Sequence, residues 1–285
     1  MATSLDTVAA KFDRSAGRLV QYLVLLMVAI LILAPIVLAF VGGLKTNAQL
    51  LAHPFAWPRP FVWSNYSNVL SGSNFWRQVG NSVLVMLATT LLVLALASTS
   101  AFVFARFAFR GREALFTYFT LGLLFPATVA ILPLYILIRE LGLVNTLWGI
   151  ILPQVAFQLP ISVLILRNFF LAIPSEIEDA AWVDGASAFE FYWRILLPLA
   201  RPGLSAVAVL TMVLSWNNYF LPLVVLNSEK NYTLPLGVMQ YQGQFSSDWG
   251  AILAFLSLAM VPAIVFYLFA ERQIIAGLTA GAIKG

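Results

Sequence analysis

The sequence contains no cysteine and only one histidine, His53. The first absence excludes disulfides, thiolate metal sites and a thiol nucleophile; the second leaves no histidine cluster to hold a metal. His53 sits in a polar connection and reads as a solvated loop residue. Charge is scarce as well: 10% of the 285 residues are Asp, Glu, Lys or Arg, where a soluble domain has about a quarter. The 16 basic residues stand singly instead of forming a stripe, which argues against a nucleic-acid surface despite the net charge of +4. No G-x-x-x-x-G-K-[ST] phosphate loop occurs, and Gly42, Gly43, Leu44, Lys45 and Thr46 lack its spacing.

What the chain has in excess is apolar surface. Hydrophobic residues make up 61% of it and the mean hydropathy is +0.90, more than a soluble fold can hide. Runs near the roughly 20 residues needed to cross a hydrocarbon core recur along the sequence. They predict an all-α polytopic membrane protein with six transmembrane helices, near Leu19 to Val41, Ser82 to Phe104, Leu115 to Leu137, Leu147 to Leu166, Leu204 to Val225 and Ala251 to Phe269. The first run is too long for a cleaved signal and lacks a small-residue cleavage site, so it is expected to be retained. This divides the chain into an N-terminal tail (1–18), a first transmembrane helix (19–41), an extracytoplasmic loop (42–76), a transmembrane core (77–272) containing a long loop (173–204), and a C-terminal tail (273–285).

Basic residues mark the cytoplasmic side. Eleven of the 16 fall on one side, including Lys11, Arg14, Arg106, Arg112, Arg167, Arg194, Arg272 and Lys284, and five on the other. Both termini are therefore expected in the cytoplasm. The outer loop carries Trp57, Trp63 and Trp76 among Pro, Ser and Asn, the composition of an interfacial cap. Pro126, Pro133, Pro153 and Pro160 are expected to kink the third and fourth spans.

The loop after the fourth span holds Glu176, Glu178, Asp179, Asp184 and Glu190, five of the chain's 12 acids. Beside a membrane they must face water or a partner. Ser175 with Glu178 has capping-box spacing behind Pro174, Gly185 supplies a helix stop, and Ser187 with Glu190 repeats the box. Two short helices joined by a glycine turn are predicted. On the first, Ile177, Ala180, Ala181 and Asp184 share one face and Glu176, Asp179 and Val183 another. A helix this short needs packing to hold it. It can rest on its own bundle or seat in a partner, and the spacing alone leaves both open.

The run Asp179, Ala180, Ala181, three residues, Gly185, then Ile195, Leu196 and Pro198, resembles the EAA loop of ABC importer permeases. Ile173 and Pro174 before it and Asp184 to Ser187 within it agree with that family. The departure is Asp179, which keeps the charge of the usual Glu on a shorter side chain. The tail from Ala276 to Gly285 and the segment Trp216, Asn217, Asn218 resemble the carbohydrate-uptake, maltose-type second permease branch, and the likeness covers the chain from about Phe40.

The resemblance implies a type I ABC importer permease fold in a bacterial or archaeal inner membrane. It implies a sister permease as heterodimer partner, a cytoplasmic ATPase dimer and an extracytoplasmic solute-binding protein, with a sugar or oligosaccharide as solute. ATP–Mg would be bound by the ATPase, with no cofactor in this chain. Glu176, Glu178, Asp179, Ala180, Ala181, Asp184 and Gly185 would form the ATPase-coupling surface. For the substrate pathway the candidates are Asn217 and Asn218, whose amides can both donate to and accept from hydroxyls, Trp216 and Tyr219 as packing surfaces for a ring, and Gln154 and Gln158, which share one helical face. Intramembrane amides also serve as glue between helices. The predicted spans contain no carboxylate, which argues against an ion-coupled transporter, and no Ser, His, Asp set supports an enzyme. Importer branches for glycerol phosphate, polyamines, phosphonates or peptides remain the alternative.

Overall fold

A computed structural model describes residues 3–243 and 247–282, with side chains described at 18, 20–243 and 247–268. Among the described residues the chain is helical, with one isolated bridge, Gln242 to Ser247, and no named strand. In order come α1 (Thr3–Gly42), α2 (Asn47–Ala52), α3 (Ser64–Ser71), α4 (Ser73–Arg106), α5 (Arg112–Thr120), α6 (Ala127–Glu140) and α7 (Trp148–Ala172). After them come α8 (Ser175–Val183), α9 (Ala188–Glu190), α10 (Leu197–Leu199), α11 (Arg201–Trp216), α12 (Phe220–Val225) and α13 (Trp249–Ala282).

Among the described residues four helices are long and apolar enough to span a membrane unbroken: Val20–Gly42, Ser73–Arg106, Trp148–Ala172 and Trp249–Leu268. Two further pairs are bent: Arg112–Leu124 with Ala127–Glu140 at 98°, and Ala188–Leu199 with Arg201–Trp216 at 76°. Counted as one span each, the pairs bring the number to six.

The expected third span, Leu115 to Leu137, is thus two pieces. Pro126 has no amide hydrogen to continue a ladder and disfavours helix at the residue before it, and Phe125 is extended there (φ −86°, ψ 115°). Pro153 and Pro160, by contrast, lie inside α7 without a break. The expected fifth span, Leu204 to Val225, also divides, because α11 ends at Trp216 and α12 starts only at Phe220. The second helix starts at Ser73, nine residues before the apolar run. Its polar first turns are satisfied from outside the helix: Asn81 Nδ2 donates to the carbonyls of Tyr232 (2.9 Å) and Lys230 (3.0 Å). The stretch 3–18 is helical as the start of α1, and 273–282 is the end of α13. The side chains of Lys11, Arg14, Arg272, Lys284 and the Ala276 to Gly285 signature lie outside the described residues.

The chain divides into two compact units, Met1–Ser71 with Tyr241–Leu258, and Gly72–Gln240 with Ala259–Gly285. In the first, glycines bring α1 close to the start of α13: a Cβ on Gly43 would lie 2.8 Å from Ala254 Cα. Lys45 is buried there, its ammonium donating to the carbonyls of Pro54 (2.8 Å) and His53 (3.2 Å). Trp57 and Trp63 are exposed and pack on either side of Phe61.

In the second unit α4 packs along α7, and α11 lies against both. Val93, Ala97 and Ala101 recur every four residues on α4 and are wholly buried. Small side chains at this spacing let helix backbones approach closely where lipid supplies no hydrophobic drive. Val163, Leu166 and Phe170 of α7 and Val207 of α11 complete that core.

Candidate functional site

The loop predicted to couple begins with α8. The expected Ser175 and Glu178 capping box does not form: Pro174 is the N-cap residue and no side chain caps the helix. Ser175 is already the first helical residue, and the Glu178 carboxylate is drawn inward to Arg106, 3.3 Å away. At its other end α8 closes as the sequence predicts. Gly185 adopts φ +79°, its N–H donates to the Trp182 carbonyl (3.0 Å), and the Ala186 N–H donates to that of Ala181 (2.9 Å). This is the paired pattern of a Schellman stop.

The second box does form. Ser187 Oγ accepts from the Glu190 N–H (3.3 Å), and the Glu190 carboxylate accepts from the Ser187 N–H (2.9 Å). These bonds from Ser187, backbone first and hydroxyl second, with Arg194 nearby, hold the Glu190 carboxyl below the ordinary carboxylate range. A depressed pKa stabilises the folded turn above the free carboxyl value and loses that contribution as pH falls through the lowered value. Amide exchange at 187–190 is therefore expected to accelerate only in acid below the usual Glu range, and Ser187→Ala should show fast exchange at neutral pH.

Burial sorts the candidate coupling residues. Ile177, Glu178 and Ala181 turn inward, whereas Glu176, Asp179, Ala180, Asp184 and Gly185 are exposed. The expected face of Ile177, Ala180, Ala181 and Asp184 is therefore split. Glu178 is engaged within its own bundle by Arg106. Val183 is 88% exposed and Phe189 71%, with Trp193 beside them in sequence at 62%. Apolar side chains this open, among acids, mark an interaction surface more than a solvated turn.

Sequence reasoning missed the residue that ties this loop down. Arg106, at the end of α4, donates through Nη2 to the carbonyls of Phe170 (2.7 Å) and Ile173 (2.8 Å) at the end of α7, while its Nη1 faces Glu178. One guanidinium fork thereby joins three elements, a geometry that Lys lacks. Arg167 forms a second clamp: it bonds Glu113 (2.6 Å) and the Phe104 carbonyl (3.2 Å) and stacks 4.1 Å over the Phe116 ring. In the sequence both arginines stand out only as markers of the cytoplasmic side.

The loop leads into the membrane through a π-helical turn, Phe191–Leu196, in which Phe191, Tyr192 and Leu196 are buried. Trp182 packs 5.7 Å from Phe191, and the Tyr192 hydroxyl lies 2.7 Å from Ser98 Oγ on α4. After the 76° bend α11 runs to Trp216, where the chain turns at a cavity of about 340 Å³. Its walls are Ala127, Thr128, Ile131 and Leu134 of α6, Gln154, Phe157 and Gln158 of α7, and Leu214 to Leu221 in part.

Of the six pathway candidates, five line this cavity: Gln154, Gln158, Asn217, Asn218 and Tyr219. Trp216 does not; it lines a separate groove with Val213, Ala263, Ile264 and Tyr267. The asparagines also serve the turn itself, since Asn217 Nδ2 donates to the Val213 carbonyl (2.9 Å) and Asn218 Oδ1 accepts from the Leu221 N–H (3.3 Å). The glutamines are different. Gln154 is 3% exposed with neither side-chain polar atom hydrogen-bonded in the protein, and Gln158 is 7% exposed with Oε1 unbonded. Burying an amide without a partner costs about 1–3 kcal/mol.

The family described as "Binding-protein-dependent transport system inner membrane component" matches residues 94–275. The chain is 30% identical to the diacetylchitobiose uptake system permease protein NgcG of Streptomyces coelicolor, over 98% of this chain and 93% of that protein. It is also 30% identical to the arabinooligosaccharides transport system permease protein AraQ of Bacillus subtilis, over 95% of this chain and 97% of that protein. Among solved structures, a chain of a bacterial ABC transporter involved in the import of the acidic polysaccharide alginate shares the fold with a TM-score of 0.78 and 24% identity, covering 91% of this chain and 96% of that one.

Proposed function

Since the chain belongs to the family of binding-protein-dependent transport system inner membrane components, and so is a permease of an ATP-binding-cassette importer, we propose that its solute is a sugar or oligosaccharide. The full-length likeness to oligosaccharide permeases supports this. In this reading the chain pairs with a sister permease, an extracytoplasmic binding protein delivers the solute, and both termini are cytoplasmic. ATP–Mg is held by a cytoplasmic ATPase dimer that docks on α8. Asp179, Glu176, Ala180, Asp184 and Gly185 are the contact surface, with Ala181 and Ile177 seating the helix on its own bundle. Glu178 keeps the coupling role assigned to it from within, through Arg106.

The observation that carries this reading is the continuity from loop to cavity. A push on α8 reaches the π turn through Trp182 and Phe191, and the π turn leads through α10 and the 76° bend into α11, whose 16 residues end at the cavity. At 1.5 Å per residue α11 is a lever of roughly 24 Å. Closure of the ATPase subunits would tilt α11 and move Asn217, Asn218 and Tyr219 relative to α6 and α7, rocking the site between outward and inward access. Trp216 takes part at the lever's end, through the groove it shares with α13.

The test is affinity purification of the tagged chain in mild detergent from its own cells. Wild type should bring down an ATPase and a second permease, whereas Asp179→Arg should retain the permease and lose at least nine-tenths of the ATPase, on the order of a 1.4 kcal/mol loss or more. Unchanged ATPase recovery would remove Asp179 from the contact, and absence of any ATPase with wild type would overturn the coupling reading.

A further inference from the structure

Resting on the sugar-import reading above, we propose that this subunit itself contacts the solute, and that Gln154 and Gln158 select an uncharged sugar ring over an acidic one. The cavity sits where the third span breaks, at the start of α6, and where α11 ends and the chain turns into α12. It is of a size that takes a small molecule. On α7 the two glutamines lie one helical turn apart, roughly 9 and 15 Å along the helix from Trp148.

Three features of the lining define the ligand. First, the Gln154 amide has both a donor and an acceptor buried and unbonded within the protein, and Gln158 adds an acceptor. A hydroxyl both donates and accepts, so a polyol that reaches these atoms as the rocking of the site uncovers them satisfies them in either sense. Second, the remaining wall offers Phe157 and Tyr219 as flat apolar surfaces, which suit the C–H faces of a pyranose. Third, among the described residues lining the cavity none is charged. A uronate or sugar phosphate would bury its charge there without a counter-ion, which a low-dielectric site penalises heavily. The chain with which this one shares its fold belongs to a transporter of an acidic polysaccharide; the lining here points the other way.

An unbonded buried amide also makes a prediction that separates use from structure. Replacing Gln154 by Leu removes a desolvation cost, so the protein should hold or gain thermal stability while losing a reader of hydroxyls. A glutamine that glues helices would do the reverse.

The experiment uses intact cells carrying the full transporter. Uptake of radiolabelled trehalose, diacetylchitobiose and arabinobiose is compared with uptake of two acidic probes, digalacturonate and dimannuronate, for wild type, Gln154→Leu and Gln154→Met. The ATPase that co-purifies with each variant reports assembly. Wild type should import a neutral probe, and the assembled variants should import it at least about tenfold more slowly, with melting temperature unchanged or raised. Import of an acidic probe by wild type, or undiminished uptake by assembled variants, overturns the proposal. So does failure of both variants to assemble, because the amide would then be structural. If wild type imports no probe of either kind, the sugar reading fails and the inference falls with it.

Discussion

Arg106→Ala is expected to cut coupled uptake to under a tenth of wild type and to lower stability by about 3 kcal/mol. The figure is the lower end of the ~3–5 kcal/mol for breaking a buried ion pair, because Glu178 keeps some contact with water at 16% exposure while Arg106 has only 8%. The substitution leaves the Glu178 carboxylate half-buried without its cation and the Phe170 and Ile173 carbonyls without their donor. It also separates α8 from the ends of α4 and α7, so ATP hydrolysed by the proposed ATPase should no longer be matched by solute moved. Arg106→Lys should fall between, since a single ammonium cannot reach two carbonyls and a carboxylate in one plane. Glu178→Gln should be mildest, because the guanidinium retains both carbonyls and an amide oxygen can still accept. Thermal unfolding of the purified complex, with the ratio of ATP hydrolysed to solute imported, checks the order. If Arg106→Ala matches wild type in both readouts, the clamp carries no load.

Periodic apolar runs announce the spans because lipid demands about 20 apolar residues in each, whatever the neighbours are. The stop at Gly185 and the Ser187 box were readable for a related reason: both are closed by atoms within a few residues of one another. Tertiary terms decided the rest. Glu178 has capping-box spacing from Ser175, yet a distant arginine on another helix outbids the local bond, and local spacing carries no sign of it. The same holds for α11, which stops at Trp216 in the middle of an apolar run. Nothing in hydropathy distinguishes a helix that continues through Asn217 and Asn218 from one that turns there. The turn is what places Tyr219 in the cavity and leaves Trp216 outside it. Proline is an uneven guide: each one frees a carbonyl, yet helix runs on through Pro153 and Pro160 in α7 and through Pro35 in α1, whereas the chain turns at Pro126.

Gly149→Val is expected to reduce the amount of folded transporter several-fold, with a stability loss of about 3 kcal/mol or more. Gly149 lies in the first turn of α7, where its N–H donates to the Thr146 carbonyl (3.2 Å) and hydroxyl (3.1 Å). A Cβ there would sit 2.3 Å from the Leu143 carbonyl oxygen, 3.0 Å from Val225 Cγ1 and 3.3 Å from Ile138 Cγ2. The nearest obstacle is backbone, so no rotamer change relieves it. The connection from α6 to α7 must move away from the helix, and with it Asn145, whose N–H donates to the Val225 carbonyl (2.8 Å) and whose Oδ1 accepts from the Asn227 and Ser228 amides (3.1 and 3.0 Å). Overpacking of a filled site costs about 1–3 kcal/mol when side chains can adjust, and a fixed carbonyl places this case at the top of that range. Gly149→Ala places the same Cβ against the same oxygen and omits only the two methyls, so it should lose most of that stability, though less than Val, and the fraction that still assembles can be assayed. Because α6 and α12 both border the cavity, the Ala variant should also import solute more slowly than its remaining folded fraction explains. Uptake normalised to assembled complex measures this; a normalised rate equal to that of wild type would mean that the connection from α6 to α7 supports folding without shaping the site.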